Sequence, residues 1–427
     1  APAPDRVRAM VETLLGVPRL LDTGRRRLDA RLPAPFLKLS ESIGAGLPGH
    51  FDEVEEFARR YDPEHARAVS EARAPAEAAV LDLLGRIRDE WGPKATEEFA
   101  LGPARYQRLL WVREGIRAPF SEMLSEGRRD LARNQARLEE LVRSAGSGSD
   151  VGAVLETLYR DHPTASELVP EAQRLVADAR EFVRARDLVT IPEPDTCRVE
   201  ETPSYGRALS TASMNPPGPF EPKGEEGIYF VTPVDAAWTP ERQEEWLRSL
   251  NRPMLRNITI HEVYPGHYLQ FLHHRRAAGS LARRVFMSNS FTEGWAHYCE
   301  QLAVEAGLGA PRPEAEVAQL HDALLRDCRL IASVGLHTGG MSLEEATRLF
   351  QTDAHFERLP AEREAIRGTF NPEYFCYTLG KLEILRARER HLAASFHGSL
   401  RAFHDRLLSF GAPPVGLLEA LLGGPNG

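Results

Sequence analysis

The sequence predicts a mainly α-helical protein with one small β-sheet, and three observations carry that reading. Long stretches place apolar residues three and four apart, the spacing that gives a helix one buried face. A single region, 186–235, breaks the pattern with short β-branched and aromatic runs between Pro and Gly. No fixed-period repeat occurs, so a solenoid is not expected. In chain order, "FDEVEEFARRYD" from residue 51, "AEAAVLDLLGRIRDEWG" from 76 and "LARNQARLEELVRSAG" from 131 read as amphipathic helices. The last of them is stopped by the flexible "GSGSD". "DLVTIPEPDTCRVEETPSY" and "EEGIYFVTPVD" read as strands near 195–235, joined by "MNPPGPFEPKGEEG", a loop by composition. Helical patterning returns at 239 and runs nearly to the "GGPNG" tail. The expected division is an N-terminal helical region over 1–185 and a second helical region over 186–427, which holds the strands and the candidate chemistry.

Composition narrows the classes. The 427 residues are 42% hydrophobic and 27% charged, ordinary for a chain able to bury a sizeable core. A formal charge of −9, without a Lys/Arg stripe interleaved with aromatics, argues against a nucleic-acid partner. Runs such as "TGRRRLDARL" at 23–32 include or adjoin acidic residues and read as solvated helix faces. No segment reaches the ~18 consecutive apolar residues of a membrane span, and "APAPDRVRAM" lacks the apolar core of a signal peptide. A cytoplasmic location is therefore expected, or a secreted or periplasmic one if a leader has been removed. Cys197, Cys299, Cys328 and Cys376 are far apart and form no C-x-x-C pair. Neither a disulfide framework nor a zinc ribbon is expected from them, and they read as buried, reduced thiols.

"HEVYPGHYLQ", beginning at His261, holds the candidate chemistry. A zinc hydrolase needs three protein ligands, an open position and a base for the attacking water. The regular helical signature is His-Glu-x-x-His, with the glutamate as base. Here His261 and Glu262 supply the first half, but His267 arrives two residues late. In a straight helix, positions i and i+6 point about 120° apart. Pro265 has no N–H to give the His261 carbonyl and its ring clashes with it, while Gly266 permits unusual backbone angles. A break at Pro-Gly is thus expected to absorb the extra residues and return His267 to the side of His261.

A third ligand is expected from a neighbouring helix. "SFTEGWAHYCEQL" supplies Glu293, followed by His297 and Glu300, after a turn around "RAAGSLARR". Glu293 and His297 are four apart and share a helix face, so Glu293 fits a ligand and His297 a supporting or substrate-touching position. His273 and His274 read as structural or exposed.

These two stretches resemble the paired signatures of the bacterial family grouped as domain of unknown function 885. The resemblance implies zinc metallopeptidases of the glutamate-ligand (gluzincin) type. It also implies a large bilobed helical body, like that of thimet oligopeptidase and related carboxypeptidases, with a central cleft or channel. On this chain it implies His261, His267 and Glu293 as zinc ligands and Glu262 as general base. "RLIASVGLHTGGMSLEEATRLF" and "FNPEYFCYTLGKLEI" extend the likeness, retaining His337, Tyr377 and Gly380. Ser333, Val334, Met341, Asn371, Pro372, Glu373, Cys376 and Thr378 stand where the family usually has other residues. Glu373, in place of a glutamine, would favour a cationic substrate group if it faces the cleft. The likeness covers roughly 190–395 well and the N-terminal helices loosely.

Amide hydrolysis also needs a donor for the tetrahedral oxyanion. Tyr377 is the first candidate, by resemblance, with Tyr374 as its neighbour and competitor; the alternative for either is a core tyrosine. His337 is a second possible donor, or else a structural histidine. Tyr229 lies in "GIYFVTPV", a strand that either pairs with an extended substrate along the cleft edge or is internal and supports the metal helix. The leading expectation is a zinc-dependent hydrolase acting on peptides or small amides. The alternatives are a metal-dependent tailoring enzyme on a non-peptide molecule and a non-catalytic helical binding protein, which would have no need of Glu262.

Overall fold

The computed structural model describes residues 2–28, 31–144, 150–207, 210–220, 226–277, 280–394 and 398–423. Within them the chain is mainly helical, with one three-stranded sheet. It divides into two units: Ala1–Phe99 with Pro203–Ser210, and Ala100–Thr202 with Thr211–Gly427. The first unit is built on α1 (Ala3–Arg27), α2 (Ala34–Tyr61) and α3 (Ala66–Arg86). Its core collects Val7, Leu14, Phe51, Ala58, Val69, Ala72, Ala76 and Val80. Phe51 and Ala58, two turns apart in "FDEVEEFARRYD", fall on the same buried face, as the spacing predicts.

The second unit opens with α4 (Pro103–Glu114), α5 (Phe120–Ser144), α6 (Val151–Arg160) and α7 (Leu168–Ala185). Strands β1 (Thr196–Glu201), β2 (Ala212–Asn215) and β3 (Glu226–Val231) follow. The remaining helices are α8 (Pro240–Ser249), α9 (Arg252–Glu262), α10 (His267–Arg276), α11 (Leu281–Val285), α12 (Asn289–Glu305), α13 (Glu314–Thr338), α14 (Leu343–Asp353), α15 (Arg358–Phe370), α16 (Cys376–Ala394), α17 (Leu400–Ser409) and α18 (Leu418–Gly423). Most of the "GSGSD" turn (146–149) and the tail (424–427) lie outside the described residues. The turn read around "RAAGSLARR" contains the short helix α11, with 278–279 outside the described residues.

The sheet has order β1-β3-β2, with β1 parallel to β3 and β2 antiparallel to it. β2 was not expected: "ASMN" has no β-branched residue and opens the stretch that reads as a loop. β3 is therefore central, hydrogen-bonded to β1 over Glu226–Val231 and to β2 over Ile228–Val231. An extended substrate cannot pair with it, because both its edges are occupied.

Two devices position the helices that matter. Asn251 and Ser288 cap α9 and α12, each side chain accepting the backbone N–H three residues on (3.1 and 3.0 Å). Helices α12 and α16 cross at Gly294 and Gly380, where a Cβ on Gly294 would lie 2.4 Å from Gly380 Cα. A Cβ on Gly380 would meet the Ser290 carbonyl oxygen at 1.7 Å. Only glycine permits that approach, and it sets Tyr377 of α16 beside the α12 face that carries Glu293.

Candidate metal centre

The segment between His261 and His267 is a helix break. Helix α9 ends at Glu262 and α10 begins at His267, with Val263 at φ −118°, ψ −82° and Gly266 at φ −67°, ψ −135°. The Gly266 N–H donates to the Ile260 carbonyl at 3.0 Å and the Leu269 N–H to the Val263 carbonyl at 3.2 Å, so the backbone groups freed by the break are re-used. Gly266 is needed for space more than for dihedral freedom: a Cβ there would lie 1.8 Å from the His261 carbonyl oxygen. Side chains from neighbouring elements fasten the turn. Trp295 Nε1 donates to the Pro265 carbonyl (2.9 Å), Tyr264 to Asp195 (2.9 Å), and the Thr196 N–H to the Tyr268 hydroxyl (2.7 Å).

The break brings the two imidazoles together, with ring centroids 4.7 Å apart and planes at 85°. One Glu293 oxygen stands 3.4 Å from His261 Nε2 and 3.5 Å from His267 Nε2. Two ligand atoms on a tetrahedral zinc with bonds near 2.1 Å stand about 3.4 Å apart, so these separations fit one shared ion. Ligand atoms of His261, Glu262 and His267 also lie within 4.8 Å of one another. Four groups therefore converge: Glu293 lies at ligand spacing from both histidines, and Glu262 is also within reach of them. Both histidines are buried and both carboxylates half-buried.

The charged groups of the site are set against one another. Burial opposes a charged His261, but Glu293 and Glu300 on either side more than offset it and raise its pKa to about 10. Burial likewise opposes the Glu293 carboxylate, yet His267 and His261 hold it well below the usual range. Glu262 moves the other way, raised chiefly by burial and also by the charge of Glu293.

Glu300 organises the rear of the site. His261 Nδ1 donates to Glu300 Oε1 at 2.6 Å, which turns Nε2 toward Glu293. The same carboxylate receives His297 Nδ1 (3.2 Å), Asn257 Nδ2 (3.3 Å) and Arg326 (3.0 Å). Asn257 and Arg326 also meet Asp322, at 2.7 and 3.5 Å. His297, fully buried and kept neutral by burial and by the charge of Lys381, with its pKa lowered to about 3, thus serves Glu300 rather than the metal position.

The remaining candidates separate. Tyr377 is half-buried with its ring centroid 6.5 Å from that of His261, flanked by the guanidinium carbons of Arg326 (5.6 Å) and Arg329 (5.1 Å). Burial and Glu293 keep its phenol protonated, and among the described residues its hydroxyl has no hydrogen-bond partner. Tyr374 is fully buried and spends its hydroxyl on Glu364. His337 donates from Nε2 to the Gly368 carbonyl (2.8 Å) and stacks on Tyr106 (5.7 Å), which ties it to the core and not to the histidine pair. Tyr229 points inward from the central strand, its hydroxyl 3.4 Å from Thr259 Oγ1 on α9, so it supports the metal helix from below. Glu373 does not await a cationic substrate group: Arg113 and Asn289 already bind it, at 2.9 and 3.1 Å. His273 and His274 bond to the carbonyls of Thr190 and Arg284.

Glu300 was legible and missed, since it lies seven residues, two helical turns, beyond Glu293 on the same face. Asn257 and Arg326 come from α9 and α13 and carried no such local signal.

The chain belongs to the family described as bacterial protein of unknown function (DUF885), whose model matches residues 1–422. No curated protein matches it. Two solved structures share its fold. One is described as a "putative lipoprotein of unknown function" from Shewanella oneidensis, 23% identical, with a TM-score of 0.77 over 99% of this chain and 79% of that one. The other, described as a "putative lipoprotein" from Colwellia psychrerythraea, is 20% identical, with a TM-score of 0.83 over 99% of this chain and 76% of that one.

Proposed function

We propose that this member of the DUF885 family is a zinc-dependent hydrolase of the gluzincin type that cleaves amide bonds in short peptides. The observation that carries the reading is the single Glu293 oxygen at 3.4 and 3.5 Å from the Nε2 atoms of His261 and His267, with Glu262 beside them. His261, His267 and Glu293 would hold zinc, which would supply a Lewis acid for the scissile carbonyl and for the attacking water. Glu262 takes the proton of the attacking water and passes it to the leaving nitrogen. Tyr377, with a free hydroxyl on the His261 side of α16, donates to the oxygen that becomes anionic. Glu300 fixes the His261 tautomer and ring. The recessed position of the two histidines favours chain ends and short peptides over folded protein surfaces.

The proposal extends to location. Among the described residues no helix is long and apolar enough to cross a membrane. The two structural relatives are each described as a "putative lipoprotein", so we place this chain in the bacterial envelope instead of the cytoplasm.

Metal analysis of the purified chain, combined with a Glu262→Gln variant assayed on a mixed peptide library by mass spectrometry, tests the chemistry. The expected result is zinc at one equivalent in both proteins and hydrolysis only in the parent. Hydrolysis unchanged by Glu262→Gln removes Glu262 as base, and a chain that takes up no zinc removes the whole reading.

A further inference from the structure

The connection between α10 and α12 carries a surface that neither zinc binding nor catalysis uses. On α11, Leu281 and Val285 lie one turn apart on the same face, 69% and 50% exposed, and Phe286 and Met287 follow at 77% and 42%. Phe220 joins them, 48% exposed, with the Arg284 guanidinium carbon 4.4 Å from its ring centroid. Five large apolar side chains thus share one exposed neighbourhood, and a water-facing surface does not accumulate such a group without a use.

The segment is held in place. The Arg284 carbonyl accepts from His274 Nε2 (3.2 Å), Arg284 donates to the Pro219 carbonyl, and the Ser288 N–H donates to the Ala412 carbonyl (2.9 Å). The backbone is anchored at both ends while the apolar side chains point away from the body.

Charge identifies the occupant. The chain carries a formal charge of −9, yet residues 280–292, which hold most of the apolar group, contain Arg283 and Arg284 and no Asp or Glu. Arg283 is exposed on α11 itself, and Arg276 is exposed at the end of α10, where it donates to the Glu193 carbonyl (2.6 Å). Apolar side chains flanked by guanidinium groups, with no carboxylate in the segment, match the boundary of an anionic bilayer. There the side chains enter the acyl region and the arginines meet lipid phosphates.

We propose that Phe220, Leu281, Val285, Phe286 and Met287, with Arg276, Arg283 and Arg284, form a docking surface for anionic membranes. In the chain this surface lies between the helices that carry His267 and Glu293.

The docking requires neither metal nor hydrolysis, so vesicle co-sedimentation of the full chain reads it alone. Phosphatidylcholine vesicles are compared with and without phosphatidylglycerol, at low and high salt. The expected result is sedimentation with the anionic vesicles, weakened by salt. Arg283→Ala should lower the partition coefficient about fivefold, and Leu281→Ser with Phe286→Ser about tenfold or more. Val112→Ser, at a site 63% exposed elsewhere in the same unit, should leave it unchanged. The proposal is overturned by failure to sediment with anionic vesicles, or by sedimentation that survives Leu281→Ser with Phe286→Ser. It is equally overturned if those substitutions abolish a self-association seen in ultracentrifugation while vesicle binding is absent, since the surface would then bind a second copy of the chain.

Discussion

Gly266 is the residue on which the centre depends, because no side chain fits within 1.8 Å of the His261 carbonyl oxygen. Gly266→Ala must push α10 away from α9, and the two Nε2 atoms cannot both keep their distance from Glu293. The expected outcome is loss of bound zinc in metal analysis with the helical circular-dichroism signal retained; full zinc occupancy in this variant would separate the break from metal binding. Glu300→Gln tests the support behind His261. The amide can still accept from Nδ1, but Arg326 loses the nearer of its two charge partners, and zinc affinity should fall about 10- to 100-fold in a competition titration with a chelator. At this scale the sequence was most readable where chemistry is local: His261, Glu262, Pro265, Gly266 and His267 announce a broken helix within one short stretch. Tyr374 and Tyr377 were not separable, because Tyr374 lies in the turn before α16 and Tyr377 in its first turn, and a spacing of three does not reveal which one faces the core. Only Glu364, met by Tyr374, and the α12–α16 crossing decide it.

Between elements, the second unit is tied by a buried polar cluster that joins α5, α13 and α16. Lys381 Nζ pairs with Asp130 at 2.6 Å, both within the core. Asn134 and Thr378 donate to the two oxygens of Asp327, at 2.7 and 2.9 Å. Burial first, then the charge of Asp130, raise Asp327 to about 8, while Lys381 and Arg133 hold Asp130 low against its own burial. The folded chain therefore keeps a proton on Asp327 that the unfolded chain releases near 3.8, and stability from this group is lost as pH rises between those values. Asp327→Asn, which imitates the protonated acid, should gain on the parent by about 1 kcal/mol per pH unit across that window in urea unfolding. A difference independent of pH would show that Asp327 is ionised in the fold. None of this was legible, since Asp130, Asp327 and Lys381 are far apart in the chain and each looks like a surface charge on an amphipathic helix. The helices themselves were legible from apolar spacing. β2 was not: "ASMN" has no strand preference and pairs only because β3 offers it an edge.

The whole molecule adds a division that no linear reading could supply, because Pro203–Ser210 joins the first unit although it lies between two strands of the second. Each unit has its own core, and His261, Glu262, His267, Glu293 and Glu300 all belong to the second. A ligand that binds only the folded form stabilises the unit that holds it, by about 2.7 kcal/mol at a hundredfold excess over its dissociation constant. For a unit of this size that corresponds to about 3–6 °C. Calorimetry should therefore show one transition rising with added zinc and another, from the α1–α3 unit, staying in place. His267→Ala should cancel the rise without moving the second transition. If both transitions climb together, the units unfold as one cooperative body. If the rise persists in His267→Ala, the stabilising zinc sits elsewhere and the pairing of His261 with His267 is not the metal centre.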